Sequence, residues 1–134
     1  MALFADTSVW SLAYRRDSPS ASVEVAALGE ALTGGERVVA TGLVLLELLQ
    51  GFLPARAQAT IRAAFESLEL VDPAREDYIA AAGLSNTCRR KGVQLTTIDA
   101  LIAQLCIAHD LLLLTTDADF RHAARHVPLR LWSP

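Results

Sequence analysis

The sequence predicts an α/β fold, a three-layer α/β/α sandwich built on a five-stranded parallel sheet. Three observations predict it. Short apolar runs alternate with longer stretches of helical period along all 134 residues. The run Leu111-Leu112-Leu113-Leu114 is apolar without alternation, as a strand covered on both faces is. No repeat, linker or low-complexity stretch divides the chain, so its length fits one domain over residues 1–134.

The elements follow in order. Leu3-Phe4-Ala5 reads as a short buried strand, and Ser8 to Arg16 as a short helix closed by the polar break Asp17-Ser18-Pro19. Ser18 with Pro19 is a cap-plus-first-turn start signal and Gly34-Gly35 a stop. Between them Val23, Ala27, Leu28, Ala31 and Leu32 recur at helical spacing. Arg37 to Ala40 is the second strand. Thr41 caps a helix to about Gln50, and Pro54 opens another through Ile61, Ala64, Phe65 and Leu68. Leu70-Val71 is a weak third strand. Asp72-Pro73 starts a helix that Gly92 stops, just after the basic Arg89-Arg90-Lys91. Thr96 or Thr97 caps the helix running to His109. Leu111 to Thr115 is the fourth strand, Asp117 to Arg125 a short helix, and Val127 to Trp132 the fifth strand.

Composition narrows the function. With 52% hydrophobic and 20% charged residues the chain can build a core and is not disordered. No apolar run approaches the roughly 20 residues of a membrane helix. Met1 to Asp6 carry neither the basic region nor the apolar run of a signal peptide, so a cytoplasmic protein is expected. Cys88 and Cys106 fall on separate predicted helices and match no zinc pattern, which reads as two buried thiols in a reducing compartment. A net charge of −3 does not grip nucleic acid by charge alone. An acidic metal site accounts for part of that deficit, because a bound divalent ion inverts the local charge.

Four acids stand at the edges of apolar runs: Asp6 after Leu3-Phe4-Ala5, Glu47 within Leu43-Val44-Leu45-Leu46-Glu47-Leu48-Leu49, Asp99 before Ala100-Leu101-Ile102-Ala103, and Asp117 after Leu113-Leu114-Thr115-Thr116. An ionised carboxylate beside so much buried surface is costly unless it is paired or holds a metal. Ligands of parallel sheets bind off the carboxyl ends of the strands, where Asp6 and Asp117 fall. Each acid has an ordinary alternative. Asp6 could cap the next helix. Glu47 could mark the one solvated strip of a buried helix. Asp99 could complement a helix dipole. Asp117, with Asp119 close behind it, could be a capped turn. One shared site of hard oxygens for Mg²⁺ or Mn²⁺ explains all four together, and the Thr115 hydroxyl could hold a carboxylate or a water beside it.

In this order the pieces Asp6-Thr7-Ser8-Val9-Trp10, Glu47 in its Leu-rich helix, Asp99 with Ala100-Leu101-Ile102-Ala103, and Leu113 to Phe120 resemble PIN-domain ribonucleases. Within that family they resemble the VapC-type toxins of bacterial toxin–antitoxin pairs. No single piece is specific; the ordered set covers essentially the whole chain. The resemblance implies the five-stranded sheet and a pocket in which Asp6, Glu47, Asp99 and Asp117 hold Mg²⁺ or Mn²⁺, with Asp119 an extra ligand or a group behind it. It implies that Thr7 or Ser8, and Thr115, position carboxylates or water. It also implies an RNA substrate, a cognate VapB-type antitoxin lying across the site, and a homodimer. RNA targets vary greatly within the family, so the target itself is not implied.

Phosphate contacts must come from outside an acidic pocket. Arg121, close behind Asp117, is the preferred candidate, with Arg15-Arg16 and Arg125 beside it. Arg89-Arg90-Lys91 reads instead as a helix end complementing its dipole. His109, His122 and His126 form no motif. The apolar segments Val44 to Phe52 and Ile61 to Phe65 suit an antitoxin groove, a dimer face or core.

Three rivals remain. A phosphoacceptor receiver domain needs an acceptor Asp after the third strand and a late Lys; here Asp72 precedes a proline and Lys91 comes too early. A haloacid-dehalogenase-like phosphatase needs Asp-x-Asp after the first strand, where this chain has Asp6-Thr7-Ser8. A non-catalytic PIN-like scaffold, binding protein or RNA, is opposed by the intact acids.

Overall fold

The computed structural model describes residues 1–14, 22–51 and 54–134. Four parallel strands form one sheet: β1 (Leu3–Ala5), β2 (Val38–Ala40), β3 (Glu69–Leu70) and β4 (Leu112–Leu114), in the spatial order β3-β2-β1-β4. β1 lies inside, pairing Leu3 with Val38 on one side and with Leu112 on the other. All three of its residues are buried, which is why the run needs no polar alternation.

Seven helices cover the sheet among the described residues: α1 (Thr7–Ala13), α2 (Val23–Thr33), α3 (Gly42–Leu49), α4 (Ala55–Glu66), α5 (Arg75–Arg90), α6 (Thr97–Ala108) and α7 (Ala118–Ala123). The core is one cluster, with Phe4, Trp10, Leu28, Ile102, Leu113 and Phe120 fully buried. Trp10 joins α1 to α4 through a tilted contact with Phe65 at 4.9 Å between ring centroids and stacks on Tyr14 at 6.1 Å. The helix stops fall at the glycines, where Gly35 and Gly92 take φ of +77° and +81°.

Among the described residues the sheet has four strands where the sequence predicts five. The segment from Val127 to Trp132 contributes one parallel bridge, Leu131 to Leu113, with Leu113 N–H donating to Arg130 at 2.9 Å and Trp132 N–H to Leu113 at 2.8 Å. The reason is local. Pro128, on the side that faces β4, has no N–H to give, and the Leu129 amide turns back to the Val127 carbonyl at 2.8 Å, so the backbone is bent out of strand form just before the bridge.

Helix ends shift as well. α1 stops at Ala13 rather than Arg16, and α7 at Ala123 rather than Arg125. α2 is capped by Ser22, which accepts from Val25 N–H; the expected start at Ser18-Pro19 lies outside the described residues. α5 begins at Arg75, not at Asp72-Pro73, with the Asp77 carboxylate closing the free Ala74 N–H at 2.9 Å. Both cysteines are buried free thiols, and no helix among the described residues is long and apolar enough to cross a membrane.

Candidate active site

The carboxyl edge of the sheet collects the four acids. Asp6 leaves β1 and is 4% exposed. It caps α1, accepting from Val9 N–H at 3.3 Å, so the capping reading is correct, and it does more. Its Oδ1 also accepts from the Ser8 hydroxyl at 2.5 Å and its Oδ2 from the Thr115 hydroxyl at 2.6 Å. Each hydroxyl in turn accepts a backbone N–H from the loop after β4: Thr116 onto Ser8 at 3.1 Å and Asp117 onto Thr115 at 2.9 Å. One carboxylate thereby ties the exits of β1 and β4 together. Burial raises the Asp6 pKa; the hydrogen bonds from Ser8, Thr115 and Val9 oppose that rise, and the Asp117 charge adds to it.

Asp99 stands in the first turn of α6, whose cap is Thr96, accepting from Asp99 N–H at 3.1 Å. Burial lifts its carboxyl to about 6, against a lowering hydrogen bond from Thr96, and the charges of Asp117, Glu47 and Asp6 push the same way as burial. The other three acids named from the sequence therefore lie within reach of Asp99 by charge. Glu47, on α3, accepts from the Thr7 hydroxyl at 2.7 Å. Asp117 caps α7 through Asp119 N–H at 2.9 Å. The adjacent hydroxyls thus divide the work: Thr7 holds Glu47, and Ser8 holds Asp6.

Asp119 is exposed on the first turn of α7 and makes no side-chain contact with the other acids. Arg121 is exposed on the same helix; Arg15 lies outside the described residues. Burial, reinforced by the Asp6 charge, pushes the buried Cys106 thiol up and leaves it inert beneath the pocket. Sequence reasoning missed Asp72. Its Oδ1 accepts from Gly42 N–H at 2.9 Å and from the Thr41 hydroxyl at 3.3 Å, closing the start of α3 rather than of its own helix.

Among the described residues no ion pair neutralises any of the four acids; the two ion pairs present, Arg37–Glu69 and Arg130–Asp110, are at the surface. Nor do three of the acids already stand in a ligating cluster among those residues. One buried and three half-buried carboxylates, two of which burial and neighbouring charge hold above their ordinary pKa, without a cation of their own among the described residues, fit Mg²⁺ or Mn²⁺ in donor chemistry.

A parallel α/β sheet with such a set off its carboxyl edge is the frame of an enzyme that works through a divalent ion. The chain belongs to the PIN-domain family, whose model matches residues 3–126. Ribonucleases of that family generally depend on a divalent metal. Ribonuclease VapC11 of Mycobacterium tuberculosis is 33% identical over 126 residues, covering 92% of each chain. Among solved structures, VapBC2 from Rickettsia felis, bound to a DNA fragment of its promoter, shares the fold with a TM-score of 0.77 at 20% identity over 98% of both chains. The sarcin-ricin-loop-cleaving toxin VapC20 of Mycobacterium tuberculosis does so with a TM-score of 0.69 at 18% identity, over 96% of this chain and 98% of its own.

Proposed function

We propose that this protein is a divalent-metal-dependent endoribonuclease and the toxin of a type II toxin–antitoxin pair. The observation that supports this reading best is that Asp6, Glu47 and Asp117 all lie close enough to Asp99 for their charges to act on it. The chemistry is hydrolysis of an RNA phosphodiester. Water attacks phosphorus in line, the bond to the 3′ oxygen breaks, and 5′-phosphate and 3′-hydroxyl ends result.

Asp6 and Asp99 are the residues that would hold Mg²⁺ or Mn²⁺ directly. Asp117 would orient the attacking water or help hold a second ion, and Glu47 would support the ion through a water. When bound, the ion supplies a Lewis acid for the phosphoryl oxygen and makes water nucleophilic near neutral pH. Thr115 and Ser8 fix both oxygens of Asp6, so its lone pairs are aimed before substrate arrives. Arg121 serves the substrate phosphates from α7, and Asp119 is a further oxygen at the pocket's rim.

A cytoplasmic VapB-type antitoxin restrains the activity, and the toxin pairs as a homodimer. The α3–α4 groove offers the antitoxin an apolar seat: a cavity of about 260 Å³ lined by Leu45, Leu49, Arg62, Phe65, Glu66 and Leu70. The test is cleavage of a pool of structured RNAs by purified protein free of antitoxin, with Mg²⁺, with Mn²⁺, with EDTA, and with Asp6→Asn as control. Metal-dependent cutting lost in the variant is expected. Cutting that persists in EDTA or in the variant would sink the assignment.

A further inference from the structure

Glu47 reaches the pocket from α3, an eight-residue helix made almost wholly of leucine and valine. Apolar packing is non-directional, so it leaves such a helix more freedom of register than oriented hydrogen bonds would. Two hydrogen-bonding anchors remove that freedom. One is Thr7, whose hydroxyl meets Glu47 Oε1 at 2.7 Å. The other lies at the start of the helix, where Thr41 makes no cap of its own. The Thr41 hydroxyl is fully buried and turns instead to Asp72, as does the first helical N–H, that of Gly42.

Asp72 is delivered there by the sheet. Val71 N–H donates to the Ala40 carbonyl at 2.8 Å, continuing the pairing of β3 with β2 by one residue and laying the exit of β3 against the entrance of α3. The fit is close: a Cβ on Gly42 would stand 3.1 Å from Asp72 Oδ1.

We propose that Asp72 is a positioning residue for Glu47: by closing the start of α3 from the neighbouring strand it sets the register at which that helix carries the carboxylate into the pocket. This rests on the ribonuclease reading above. Asp72 itself is exposed and touches neither the other acids nor the reacting atoms.

The test compares Asp72→Ala, Asp72→Asn and Gly42→Ala, each alone and combined with Glu47→Gln. Cleavage of an RNA that the wild-type protein cuts is followed for kcat and KM, Mn²⁺ affinity is measured by calorimetry without RNA, and melting temperature is recorded. A displaced carboxylate is expected to lower kcat by about ten- to a hundredfold with KM changed less than about twofold. Asp72→Asn, which keeps an acceptor oxygen, should recover most of the loss. In the Glu47→Gln background Asp72→Ala and Gly42→Ala should change kcat and Mn²⁺ affinity by less than about twofold, while any fall in melting temperature persists. Equal fold losses with and without Glu47, or an unchanged kcat in Asp72→Ala, would overturn the proposal. Should the wild-type protein cut no RNA, the function reading fails on its own, and the Mn²⁺ arm still decides this one: weaker binding on Asp72→Ala only when Glu47 is present supports it, and any other pattern overturns it.

Discussion

On the sheet wall of the pocket Asp6 receives hydrogen bonds from Ser8, Thr115 and Val9, whereas on the helix wall Asp99 has Thr96 beside it and three like charges facing it. Both are acids at the start of a helix, Asp6 buried and Asp99 half-buried, and from the sequence they look alike. The sheet wall is a fixed frame in which oriented donors oppose burial, although burial still leaves the Asp6 pKa raised. The helix wall stores electrostatic repulsion that a cation would relieve. A pocket built this way holds its shape on one side and its ion affinity on the other.

The largest effect should come from removing either acid. Asp6→Asn and Asp99→Asn should each lower RNA cleavage by at least about a thousandfold, the several kcal/mol of transition-state charge stabilisation a catalytic ion supplies. Their stabilities should part. At pH 7 without metal, Asp99→Asn should melt higher than wild type, because it deletes a charge the fold disfavours. Asp6→Asn also deletes a charge that burial disfavours, but it should melt lower, by roughly 1–3 kcal/mol of unfolding free energy, because the Thr115 hydroxyl then faces an amide nitrogen and loses its acceptor. Equal melting shifts in the two variants would erase the distinction between the walls.

Thr115→Val comes next. It removes both the bond to Asp6 and the acceptor for Asp117 N–H, and should cost about ten- to a hundredfold in cleavage or in metal affinity. The same change at Thr96 should cost less of either, since Thr96 supports only the helix wall.

The pH dependence sharpens the contrast further. Asp99 titrates at about 6 in the folded protein against an ordinary 3.8, so between those values the fold holds a proton that the unfolded chain has released. The stability from that proton is complete below pH 3.8 and is lost as pH rises through 6. Melting curves of the metal-free protein should therefore fall between pH 4 and 7, and the fall should shrink in Asp99→Asn. Mn²⁺ should restore more stability at pH 7 than at pH 5, where the proton competes for the same oxygen. The smallest effect is expected at Ser8→Ala: Asp6 keeps Thr115 and Val9, and the loss should be about two- to tenfold in cleavage with a melting change near that of one ordinary hydrogen bond, about 1 kcal/mol.

Much of this was legible in the sequence. Apolar runs without alternation marked β1 and β4, and acids at their edges marked where a ligand would meet the sheet. What escaped was set by partners distant in sequence. Asp72-Pro73 has the form of a local helix start, yet Asp72 serves Gly42, thirty positions earlier. Thr7 and Ser8 are neighbours of similar chemistry, and only the direction of the first turn of α1 sends one to Glu47 and the other to Asp6. The apolar residues of the fifth strand are present, but Pro128 and the turn at Leu129 leave the backbone one bridge to make.

The bonds from Thr115 to Asp6 and from Thr116 to Ser8 span 109 and 108 positions. A chain growing on the ribosome therefore carries Asp6 and Glu47 long before it carries a pocket, because the oxygen frame closes only when β4 docks beside β1. Contacts this distant form late in folding. Gain of activity and completion of the fold are one event, so a partly synthesised or internally truncated chain holds the acids without the site.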